Sequence, residues 1–113
     1  MNVDVQNAIK SSIPPMLVSE YLLLLQKVKR QIQERLEERK KGIDDKEGTL
    51  EQLEYILNEL NLLESEINSG DLSKLKGKRL VSAQIVTDSW PLESELVEKI
   101  NQLDIQLVSG ITQ

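Results

Sequence analysis

Residues 15–68, PMLVSEYLLLLQKVKRQIQERLEERKKGIDDKEGTLEQLEYILNELNLLESEIN, decide how this chain folds. From Pro15 to Lys41 neither Gly nor a further Pro interrupts the run. Leu17, Tyr21, Leu24, Leu25, Val28, Ile32 and Leu36 recur at the spacing of one helical stripe. Proline is tolerated in the first turn of a helix, where its missing N–H would have had no partner. Arg39, Lys40 and Lys41 then face the negative end of the helix dipole, and Gly42 suits the residue that ends it. The pattern predicts a helix over 15–41, roughly 40 Å long at 1.5 Å per residue.

A second helix follows over 49–68. Thr49 and Gln52 stand at capping-box spacing, and Leu50, Leu53, Ile56, Leu57, Leu60, Leu63 and Ile67 make a broad apolar face. Two long helices joined by a short turn lie antiparallel, so the segment reads as an αα-hairpin hinged near Asp45. Charge agrees with that reading. Residues 27–46 carry eight basic and five acidic side chains, whereas 47–73 carry seven acidic and none basic. Closing the hairpin sets Arg39 near Glu51, Arg35 near Glu54, and Lys27 or Arg30 near Glu59 and Glu64. Exposed pairs of this kind contribute only about 0–1 kcal/mol each, so they serve register and partner choice more than stability.

Beyond the hairpin the signals thin out. Residues 1–13 form an arm with Val3, Val5, Ile9 and Ile13 among polar residues. Residues 71–90 read as irregular to extended: Asp71 is placed to cap one short turn over 72–76, and RLVSAQIVT at 79–87 is rich in β-branched side chains that alternate as in a strand, with a helix nearly as close a reading. Pro91, Glu93 and Glu95 are helix-start signals, and Leu92, Leu96, Ile100, Leu103 and Leu107 form a stripe flanked by Val97 and Val108. A C-terminal amphipathic helix over 91–108 is expected, ended by Gly110. The fold class is therefore all-α, one bundle-like domain over 1–113: a long antiparallel hairpin plus a C-terminal helix.

The chemical inventory is narrow. Among 113 residues there is no His, Cys or Phe, and the net charge is −5. Such a chain builds no His general base, no thiolate nucleophile and no Cys/His zinc site. Carboxylate pairs such as Glu34 with Glu38 lack the His a di-metal bundle requires. Residues 70–79, GDLSKLKGKR, have six residues between glycines and Arg79 after Lys78, which is not a phosphate-loop spacing. The interhelical turn puts Ile43 first and Lys46 among the ligands of any calcium loop, which excludes that too. No enzyme, cofactor or metal is expected.

Surface-directed features remain. Leu23 falls opposite the stripe of the first helix, with Met16 on its side and Leu22 between, so residues 22–25 are apolar nearly all round. Leu62 lies off the stripe of the second helix. Trp90, the only tryptophan, is placed either to close one end of a bundle or to anchor an interface. Met16, Leu22, Leu23, Leu62 and Trp90 are thus the candidate partner interface. A single C-terminal helix cannot flank two sides of so long a hairpin, so a second chain is expected, a homo-oligomer such as a dimer or a complex with another protein. Lys74, Lys76, Lys78 and Arg79 form a basic cluster and a possible phosphate contact. No aromatic residue interleaves to stack bases and the chain is acidic overall, so nucleic acid is the lesser reading.

No run reaches the 18 or more apolar residues of a membrane span. The amino terminus lacks the charge-then-apolar order of a signal peptide. A cytoplasmic location is the expectation. A small non-enzymatic protein–protein interaction module, acting as adaptor, assembly factor or regulatory subunit through helix packing, fits the whole pattern. The alternative is a nucleic-acid or phosphate binder working through residues 74–79.

Overall fold

The computed structural model describes residues 14–43 and 48–112; the predicted arm at 1–13 and the hinge at Asp45 lie outside them. Four helices dominate: α1 (Val18–Lys40), α2 (Leu50–Asn68), α3 (Val81–Ser89) and α4 (Glu95–Ser109). A short 3₁₀ turn, Leu72–Leu75, links α2 to α3. Two-residue strands β1 (Met16–Leu17) and β2 (Ile111–Thr112) pair in parallel, Met16 beside Ile111 and Leu17 beside Thr112.

The hairpin forms as its pattern dictates. Tyr21, Leu25, Val28, Ile32 and Leu36 of α1 are buried, and so are Leu53, Ile56, Leu60, Leu63 and Ile67 of α2. The two sets run in opposite order, and a 2.9 Å ion pair between Lys29 and Glu64 holds their alignment. The capping box is present: Thr49 Oγ1 accepts from the Gln52 amide, and Gln52 Oε1 accepts from the Thr49 amide.

Both ends of α1 are set by tertiary partners. The helix starts at Val18, three residues later than the proline signal implied, because the Met16 amide donates to Gly110 O at 3.1 Å. Residues 16–17 are thereby held extended in the ribbon. Gln106 reinforces this junction by donating its side-chain amide to Pro14 O. At the other end Arg39 donates to the carbonyls of Ile43 and Gly48, tying together the flanks of the hairpin loop.

Residues 72–75 form the short turn expected there, with Asp71 accepting the Ser73 amide, whereas residues 79–90 depart most from the sequence reading, since they hold α3. Alternation at Val81, Ala83 and Ile85 resembled a strand, but burial follows Ser82, Ala83 and Val86, a helical spacing. Glu59 of α2 supplies the missing cap: its carboxylate accepts from the amides of Val81 and Ser82 and from the Ser82 hydroxyl. A carboxylate at a helix N-terminus satisfies unpaired donors and faces the positive end of the dipole. The last helix starts at Glu95 rather than Pro91, because residues 91–94 form a turn closed by Ser94 N–H to Pro91 O at 3.1 Å. Leu92, expected in the stripe, is consequently 80% exposed.

α1 packs on α2, α2 on α3, α3 on α4, and α4 returns to α1. The chain thus supplies its own fourth helix around one apolar core. Among the described residues no helix is long and apolar enough to cross a membrane.

Candidate partner-docking surface

The five residues expected at an interface divide into two groups. Trp90 is a core residue, 4% exposed, which corrects its assignment to the interface. Its indole N–H donates to Gln52 Oε1 at 3.2 Å, and its ring lies over Gly48, closing the loop end of the bundle. Met16 and Leu22 are half-buried and pack against the core, so the excess apolar surface around residues 22–25 is partly absorbed within the chain. Leu23 and Leu62 remain outside, 68% and 58% exposed.

Leu23 belongs to a definite surface. At about 100° per residue, Leu23, Lys27, Arg30, Glu34 and Glu37 fall on one outward stripe of α1, opposite Ile32. All five are exposed. The hairpin charges differ from the expected scheme: the cation beside Glu64 is Lys29, Glu59 caps α3, and Arg39 holds loop carbonyls. Arg35 lies 3.9 Å from Glu38 on its own helix. Lys27, Arg30, Glu34 and Glu37 form no ion pair with another described residue.

Leu62 belongs to a second patch. Tyr55 precedes it by two helical turns on the same side of α2, and both are exposed. Glu59 lies between them and holds the amide of Val81, itself an exposed side chain. Sequence reading missed Tyr55, which stands off the stripe in the same way as Leu62 and was legible on that ground.

The basic cluster is split by internal partners. Lys78 pairs with Glu66 at 3.1 Å. Arg79 donates through Nε and Nη2 to Asp104, and this contact raises the Arg79 pKa above its ordinary value. Lys74 and Lys76 stay exposed. The phosphate reading is left with two lysines, not four, that form no ion pair with another described residue.

Asp104 is the buried ionisable group that sequence reasoning passed over. It is 3% exposed and also accepts the Leu80 amide at 2.7 Å, so one carboxylate from α4 holds the start of α3. Tyr21 donates its hydroxyl to Leu103 O at 2.9 Å. Burial, and then the nearby Asp104 charge, push the Tyr21 phenol well above its ordinary value of 10.0.

A groove of about 450 Å³ lies between α3 and α4, lined by Arg79, Gln84, Thr87, Asp88, Asn101 and Asp104 among others. Its guanidinium is committed to Asp104, and Thr87 donates to Asn101 Oδ1 at 3.2 Å. Among the described residues no cluster of three or more His, Cys, Asp or Glu side chains could hold a metal ion. Comparison with protein-family models finds no match, and neither the characterised proteins nor the solved structures yield a relative.

Proposed function

We propose that this chain is a small non-enzymatic interaction module that docks another helix on the outward side of its hairpin. The observation that carries the reading is Leu23, a large apolar side chain left 68% exposed at the head of an exposed charged stripe while the core around it is closed. Leu22 and Leu24, only partly buried on either side of Leu23, widen it into an apolar patch on which a helix docks, and the charges around it choose the partner. Adaptor, assembly factor and regulatory subunit are the roles that use such a surface. Self-association is its simplest form.

Affinity capture from the native host with the tagged chain and its Leu23→Lys variant tests the proposal. A partner, either the chain itself or another protein, should be retained by the wild type and lost by the variant. Equal retention by both, or no retained partner, would contradict it.

A further inference from the structure

The outward stripe of α1 carries an arrangement its individual charges do not reveal. Lys27 and Arg30 are followed by Glu34 and Glu37, so the signs run plus, plus, minus, minus. The pattern is symmetric about the level of Ile32: Lys27 and Glu37 each lie five residues from it, Arg30 and Glu34 two. Ile32 itself is buried on the opposite side of the helix. A stripe whose second half has the opposite charge to its first half is complementary to its own reversed copy.

We infer that the occupant of this surface is a second copy of the same chain, laid antiparallel along α1 about a twofold axis level with Ile32. This rests on the interaction-module reading and gives it a partner and a register. Lys27 then faces Glu37 of the second copy and Arg30 faces Glu34, and the twofold repeats both pairs. A parallel, in-register copy would instead place like charge on like charge at all four positions. Leu23 falls opposite Lys41, whose methylene stem covers an apolar neighbour while its ammonium reaches water. The interface is mostly polar, so the association is weak, register-specific and sensitive to salt.

Sedimentation equilibrium on full-length chains in low and high salt tests the pairing. All the substituted side chains are exposed, and circular dichroism checks that each variant keeps its helices. The wild type should associate in low salt and dissociate in high salt. Lys27→Glu should weaken association at least several-fold. Adding Glu37→Lys to that variant should restore it, whereas adding Glu34→Lys should not. If the wild type associates but the Lys27→Glu/Glu37→Lys chain is no tighter than Lys27→Glu alone, this register is wrong while self-association stands. A wild type that stays monomeric in low salt overturns the second-copy inference outright, and leaves the module reading to its own capture experiment.

Discussion

At the scale of single residues, stability concentrates where a polar group has been taken inside for a stated purpose. Asp104 is the strongest case, because its carboxylate satisfies the Leu80 amide in the buried seam between α3 and α4. Asp104→Ala leaves that donor without a partner, and urea unfolding should register a loss of about 2 kcal/mol. Tyr21→Phe removes one buried hydrogen bond and should cost about 1 kcal/mol. Tyr21 also gives the chain an alkaline limit. Its folded pKa lies above its unfolded value, so the unfolded state loses the proton first as pH rises. Its contribution is therefore present in full below about pH 10 and is lost above it. In Tyr21→Phe, stability measured against pH should fall less steeply beyond that point. Gly48 and Gly42 make a useful pair, both near φ +84°. A Cβ at Gly48 would sit 2.6 Å from the Trp90 ring, whereas at Gly42 it would meet nothing. Gly42→Ala should cost about 1 kcal/mol for the left-handed backbone alone. Gly48→Ala should cost about 2–4 kcal/mol, with the displaced indole seen in Trp90 fluorescence.

At the scale of elements, α3 is held from outside. Leu80, at its N-cap, makes no side-chain cap bond, and the first amides go to Glu59 of α2 and Asp104 of α4. Glu59→Ala should loosen α3 ahead of the rest of the molecule. Hydrogen exchange should then speed up at residues 81–89 while α1 and the middle of α2 keep their protection. This dependence also explains what the sequence made legible. α2 was readable to its first residue, because Thr49 and Gln52 carry the start signal three residues apart on the chain. The start signal of α3 is a carboxylate more than twenty residues away, and its β-branched composition favoured the wrong period. Pro15 misplaced the start of α1 for a similar reason, since the Met16 amide is taken by Gly110 at the far end of the chain. Trp90 was ambiguous in sequence because its burial depends on the tight approach of Gly48. Leu23 and Leu62 were read correctly as outward residues, since helical phase alone decides that.

At the scale of the whole molecule, the four helices close on themselves and leave apolar side chains outside at a few defined places. The segment expected to be irregular became the fourth helix, so a second chain is not required to complete the core. What a second chain would cover is the outward stripe of α1, where Leu23 stands among charges that no described residue neutralises. Self-association through this face requires that the stripe be occupied in solution. Light scattering across a wide range of protein concentration measures this most directly. The predicted result is a weight-average mass that climbs above the 12.9 kDa of one chain, and a Leu23→Lys variant, which sets like charge against Lys41 of the second copy, that stays nearer to it. A wild type fixed at the monomer mass at every concentration would contradict self-association through this face.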